Sequence, residues 1–328
     1  MPGTHAAPVV PRRRNPPYRP AVAAVLSLCL PIFAVIGLGW LATRARLVPP
    51  VMVEAVGAFA FLFALPALLL RLIAAQPLGE IFDPRFFAGY LGACLLVFFA
   101  VMAAALPAGR GRPAAAGLGV AAAFGNVGYL GPPLLLSLMG ERVSGPLAMA
   151  IMAEVTVVLL LGDLLMARRA AGEGPLRRAL RALAVNPVIL AILLGAALGA
   201  TGTALPEPAD RFLGFLGAAA GPTALFALGG TLGRLRFRRR LLALAAAVSV
   251  AKLGLYPLLA WLVLGGLLGL DPLWVAAGTL LAALPIASNA FILAQRHEVG
   301  TEEVSAAVLL STVMAVASFP LIAWLLAR

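Results

Sequence analysis

Ten apolar runs, most of them approaching the ~20 residues that a helix needs to cross a bilayer, divide this 328-residue chain from about residue 22 to its end. Lipid offers no water to backbone N–H and C=O groups, so such runs must satisfy their hydrogen bonds internally, as helices or as a closed barrel. The two-residue alternation of barrel strands is absent, and the runs read as helices. Composition points the same way: 62% of residues are hydrophobic and 12% charged, against roughly 45–50% and 25% in soluble domains. No water-soluble fold buries that much apolar surface. The net charge of +12 resides in arginines of the short loops between runs, a pattern of membrane topology and not the footprint of a nucleic-acid binder. Cys29 and Cys94, the two cysteines, both lie inside apolar runs and provide neither a disulfide framework nor a cysteine metal cluster.

Residues 1–21 are rich in proline and arginine and are expected to form a disordered tail. The run that follows, to about Thr43, is too long for the apolar core of a signal peptide and lacks a small-residue cleavage site, so it reads as a retained helix. Charges and Pro/Gly clusters then place helices near 22–43, 53–74, 86–107, 114–138 and 146–167, and again near 184–202, 211–233, 241–266, 273–295 and 304–327. This divides the chain into a first five-helix unit, 22–167, a basic loop, 168–183, and a second five-helix unit, 184–328. Arginines gather in alternate loops, at Arg44 and Arg46, Arg110 and Arg112, the loop from Arg168 to Arg181, the loop from Arg234 to Arg240, and Arg296. That face is expected to be cytoplasmic, which puts both termini outside, against the pull of Arg12, Arg13, Arg14 and Arg19 in the tail.

Corresponding helices of the two units share their irregularities. The first of each carries a proline followed by a glycine, Pro31 and Gly37 against Pro187 and Gly195. The second of each carries a proline expected to break it, Pro66 in "FALPALLL" and Pro222 in "AGPTALFALGG". The fourth of each is interrupted, by "FGNVGYLGPP" at 124–133 and by "ALPIASNAF" at 283–291. Five helices per unit force opposite orientations on the two, and paired interruptions in inverted halves point to a transporter binding site. Broken backbone at membrane depth is tolerable only where it lines a polar cavity or meets protein partners, and its half-helix ends carry partial charges suited to an anion or a coupling ion. Asn126 and Asn289 stand in the two interruptions, either as direct contacts to a substrate or ion or as caps of the half-helices.

These segments resemble the auxin efflux carrier family, which includes bacterial permeases for malonate and other organic anions. The likeness rests on "FGNVGYLGPPLL" at 124–135, "NPVILAILLGAAL" at 186–198, "GPTALFALGGTL" at 221–232 and "LPIASNAFILAQRHEVGTEEVSAAVLLSTVMA" at 284–315. The resemblance implies an all-α polytopic fold similar to bile acid sodium symporters, with about ten transmembrane helices in two inverted five-helix repeats. In it the broken fourth and ninth helices cross, and the first, second, sixth and seventh form a scaffold for a moving domain. It places the crossover asparagines on Asn126 and Asn289, beside Gly128 and Pro285; Ser288, next to Asn289, joins them as a candidate substrate contact. The connection at 168–183 is short, unlike the long hydrophilic loop of plant members, which favours a small carboxylate over auxin. Similar folds also imply a homodimer.

Charges inside the spans are expensive and mark functional candidates. Lys252, the single lysine, falls near the middle of the eighth helix, and Glu154 reaches a similar depth in the fifth. They are expected either to form a static ion pair or to make Glu154 a protonatable coupling group whose proton affinity is set by burial against the attraction of Lys252. Arg71 and Asp163 lie near helix ends, where they read as topological, and His297 with Arg296 as a surface pair. With His5 and His297 the only histidines, and neither HExxH nor GxSxG, an embedded enzyme finds no support; "GLGVAA" at 117–122 lacks the βαβ context of a dinucleotide turn. A receptor or a channel is a further alternative, but inverted broken helices favour alternating access. The expectation is therefore a multi-pass protein of the bacterial inner membrane, a secondary carrier of a small organic anion. It needs no cofactor and couples to a proton or sodium gradient.

Overall fold

The computed structural model describes residues 22–167, 184–235 and 239–327, with Gly174, Arg177 and Arg181 between the first two stretches. The expected tail, 1–21, and most of the expected basic loop, 168–183, lie outside the described residues. Within them every regular element is helical and no strand forms. Apart from a single turn at Leu78–Ile81, in chain order these are α1 (Val22–Arg44), α2 (Pro50–Ala74), α3 (Pro84–Ala105), α4 (Arg112–Ala123), α5 (Gly131–Met139) and α6 (Glu141–Met166). There follow α7 (Pro187–Thr201), α8 (Glu207–Arg234), α9 (Arg239–Leu267), α10 (Pro272–Ala282), α11 (Ser288–Arg296) and α12 (Thr301–Leu326). Seven of them, α1, α2, α3, α6, α8, α9 and α12, are long and apolar enough to cross a membrane.

Local chemistry explains where the helices start. α3, α7 and α10 each open on an acidic or amide residue followed by proline, Asp83-Pro84, Asn186-Pro187 and Asp271-Pro272, whose side chains accept hydrogen bonds from the first free N–H groups. Proline suits that first turn, because its missing N–H would have had no helical partner. Within helices the two expected proline breaks fare differently. α2 is not broken at Pro66; a widened turn at Ala60–Ala64 just before it absorbs the lost hydrogen bond. α8 pauses only at Ala219, ahead of Pro222, and continues.

α1 packs along α8, and α7 along α2, with α8 also against α2, so these four make one group. Glycine permits the closeness: a Cβ on Gly39 would stand 2.2 Å from the carbonyl oxygen of Phe226, and one on Gly199 2.4 Å from that of Gln76. The remaining helices surround the two interruptions, and the outward faces expose large apolar residues such as Leu30, Leu41, Leu194, Phe215 and Leu321, as a lipid-facing surface does. Polar contacts join loops that arginine counting puts on one face: Arg234 with Glu54, Arg110 with Glu303, and Arg240 with Glu302. On the opposite face Gln76 donates to the Glu141 carbonyl and to Ser144, and Arg71 holds Asp210 through two bonds of 2.8 and 3.2 Å. Arg71 thus ties α2 to α8 instead of snorkelling alone. His297, expected at the surface, turns its ring to Asp163 at 2.8 Å, because a carboxylate facing protein needs a partner that headgroups do not supply.

Candidate functional site

α4 ends at Ala123 and is followed by extended Phe124; α10 ends at Ala282 and, after a turn at Ala283 and Leu284, the chain is extended by Ala287. The two extended segments meet antiparallel in a single bridge between Gly125 and Ile286. The N–H of Asn126 donates to the Pro285 carbonyl at 2.8 Å, that of Ala287 to the Phe124 carbonyl at 3.2 Å, and that of Ile286 to the Ser311 hydroxyl at 3.2 Å. Two of the freed backbone pairs are thereby satisfied across the crossing, and others by side chains packed around it.

A cleft of about 40 Å³ opens beside this crossing. Asn126, Gly128, Ser288 and Asn289 line it on one side, facing Phe61 and Leu65 of α2 and Val188 of α7. Pro285 is not among its lining; its carbonyl fixes the register of the crossing instead. The carbonyl oxygen of the Asn126 side chain accepts from the Tyr129 N–H at 3.3 Å, a bond within the turn ahead of α5, whose N-cap position is Leu130 and has no side-chain cap. The Nδ2 group of the same amide is buried with no partner among the described residues, and so is the hydroxyl of Ser288. One end of Asn126 is therefore structural and the other is left to donate. Asn289 is exposed.

Behind the crossing lies a second polar group. Glu154 and Lys252 are fully buried, each on a widened helical turn, Ala153–Val158 in α6 and Ala251–Leu255 in α9, the latter directly before Pro257. One oxygen of Glu154 accepts from the Tyr90 hydroxyl at 2.6 Å and from the Tyr256 hydroxyl at 3.3 Å, and the other from the Gly125 N–H at 2.7 Å. Lys252 donates to the Ala282 carbonyl at 2.5 Å and lies 4.6 Å from the centre of the Tyr256 ring. Glutamate thus holds the first interruption and lysine the end of α10. The two charges come together beside Gly125, as their depth predicts, but without a hydrogen bond to each other. A Cβ at Gly125 would sit 3.1 Å from Nζ and 3.4 Å from the nearer carboxylate oxygen, so glycine is what lets both approach the backbone. Tyr90 and Tyr256, which complete the cluster, were not singled out by sequence. Their signal is a phenol inside an apolar run, which needs a hydrogen-bond partner once buried. The "GLGVAA" segment is the buried C-terminal half of α4.

Comparison with known proteins supplies the remaining information. A family model described as membrane transport protein matches residues 24–323. The chain is 35% identical over 306 residues, 90% of its own length and 94% of the relative's, to a protein of Rhizobium meliloti (strain 1021) named "Putative malonate transporter". It is 33% identical over 208 residues to an "Uncharacterized transporter" of Methanothermobacter thermautotrophicus, covering 62% of this chain and 66% of that one.

Proposed function

The chain belongs to the membrane transport protein family, a family of carriers and not of enzymes, and on that premise we propose that it is a secondary active transporter of a small organic carboxylate. The reading places it in the plasma membrane, as a multi-pass protein coupled to a proton or sodium gradient. The observation that carries it is the antiparallel crossing with an uncommitted Asn126 amide and Ser288 hydroxyl on a cleft walled by α2 and α7. Both groups donate hydrogen bonds, and the N-terminal ends of α5 and α11 begin at the same crossing with partial positive charge. A carboxylate is the chemistry these donors fit, and the name of the Rhizobium relative agrees with it.

The cleft, about 40 Å³, is far below the roughly 300–1,000 Å³ of small-molecule sites. Loading therefore requires the crossing segments to withdraw from the wall of α2 and α7, which is alternating access between a moving group and the α1, α2, α7, α8 scaffold. The finer topology follows: α4 with α5, and α10 with α11, each cross the membrane once as a broken helix, giving ten crossings in two inverted repeats. The reciprocal packing of α1 on α8 and α7 on α2 supports this pseudo-symmetry. In a Cys29→Ala, Cys94→Ser background, single cysteines at Arg112 and Glu141 are expected to react with an impermeant maleimide from opposite faces, as are those at Asp271 and Arg296. Reaction of either pair from one face removes the ten-crossing topology.

Purified protein in liposomes is expected to accumulate radiolabelled malonate, lactate or malate under an imposed proton or sodium gradient. Asn126→Ala and Asn289→Ala should each lower the initial rate at least tenfold with thermal melting little changed, the lost bond from the Tyr129 N–H to Asn126 costing about 1 kcal/mol. Full activity in both variants would overturn the site, and no accumulation of any of the three acids would overturn the substrate class.

A further inference from the structure

Three negative features converge behind the crossing. The carboxylate of Glu154 is fully buried there, and the C-terminal carbonyl ends of α4 and α10 arrive with their partial negative charge. In carriers with broken helices, unwound carbonyls and half-helix C-terminal ends are what coordinate a coupling sodium ion. Here that position already holds a cation. The ammonium of Lys252 is 2.5 Å from the carbonyl of Ala282, the last residue of α10. It lies over the Tyr256 ring and close enough to Gly125 that a Cβ there would be 3.1 Å from it. The oxygens a metal ion would need are spent: Glu154 accepts from Tyr90, Tyr256 and the Gly125 N–H, and the Ala123 carbonyl from the Cys94 thiol at 3.2 Å.

We propose that the side-chain ammonium of Lys252 is a tethered substitute for a coupling metal cation, so that this chain binds no sodium at the crossing and transports without it. This deepens the carrier reading and rests on it. A lysine on α9 stays with the protein through the cycle, whereas a sodium ion would leave with the substrate. The negative ends of the broken helices are then neutralised permanently, and the electrochemical coupling that remains is to protons or to the membrane potential.

The test has an arm that does not depend on transport. Thermal unfolding of the purified protein is measured in sodium, potassium and choline chloride at equal ionic strength, for wild type, Lys252→Gln and the Glu154→Gln/Lys252→Gln double variant. Wild type is expected to melt at the same temperature in all three salts. Lys252→Gln, in which the carboxylate and the carbonyl ends lose their cation, is expected to be stabilised by sodium specifically and in a concentration-dependent way. The double variant, lacking the carboxylate, should lose that response, and it stays measurable because no uncompensated charge is left. Sodium-specific stabilisation of wild type would overturn the proposal; so would the absence of any sodium response in a folded Lys252→Gln. Should Lys252→Gln not fold in choline chloride, its recovery in sodium would support the proposal and failure in every salt would overturn it. In the liposome arm, wild-type uptake should change less than twofold when sodium is replaced by choline, and a tenfold fall would overturn the proposal. Absence of uptake in every salt would count against the carrier reading, leaving the unfolding result to decide the fate of the lysine.

Discussion

Gly229→Ala is expected to lower the melting temperature of the purified protein sharply, while Gly37→Ala, on the neighbouring helix, leaves it unchanged or raises it slightly. A Cβ at Gly229 would stand 1.9 Å from the carbonyl oxygen of Ile36 and 2.8 Å from its carbon, and both are backbone atoms that no rotamer change can move. α1 and α8 must separate to admit the methyl group. Gly39 faces the same contact from the other side, with the Phe226 carbonyl 2.2 Å from its would-be Cβ, so separation loses packing along both helices. Overpacking of this kind costs about 1–3 kcal/mol, and a rigid backbone neighbour puts this site at the upper end. Gly37 has nothing within 4 Å of its would-be Cβ, and alanine is the better helix former by up to about 1 kcal/mol. Thermal unfolding in detergent of the two single variants beside wild type decides the matter. Equal stability of Gly229→Ala and wild type would show that α1 and α8 do not touch as described. Because these helices belong to the scaffold, the variant should also lose transport in proportion to the protein unfolded, and not through the site.

How much of this was legible in the chain depends on the kind of signal. Helices were legible because lipid makes apolar run length decisive, and the Asp-Pro and Asn-Pro pairs before α3, α7 and α10 mark starts by local chemistry alone. The two interruptions were legible for a similar reason, since glycine, proline and asparagine cluster where a helix cannot continue. Pro66 misled because a proline removes one hydrogen bond, and a long helix held by its neighbours absorbs that loss in a widened turn without ending, whereas near Pro222 the helix is interrupted at Ala219. Glu154 and Lys252 stood out as charges at bilayer depth, but nothing along the chain says that both meet at Gly125. The bond between Asp163 and His297 spans 134 positions, and neither residue alone distinguishes a buried partner from a headgroup contact. Tyr90 and Tyr256 were hidden for another reason: a tyrosine in an apolar run reads as packing until a carboxylate is found at its hydroxyl.

Glu154→Gln is expected to abolish gradient-driven accumulation, by at least tenfold, while substrate exchange between preloaded liposomes and medium stays within a few-fold of wild type. The buried carboxylate receives three hydrogen bonds, from Tyr90, Tyr256 and the Gly125 N–H. A glutamine fits the same space: its carbonyl can face Gly125, and its NH2 can donate to the two tyrosine hydroxyls, which turn to accept. The crossing is then held as before, and a carrier that needs only to shuttle loaded between its two states still exchanges substrate. What the amide cannot do is gain and lose a proton, so an accumulation that depends on that step fails. Glu154→Ala separates this from a structural role. Both variants remove the counter-charge of Lys252, but only Glu154→Ala strips Gly125 and both tyrosines of their buried partner, each unpaired group costing roughly 1–3 kcal/mol, so exchange and accumulation should fall together. The two variants compared side by side give the carboxylate its role. Accumulation preserved in Glu154→Gln would mean that Glu154 only pins the crossing in place, with the coupling step to be sought at another group.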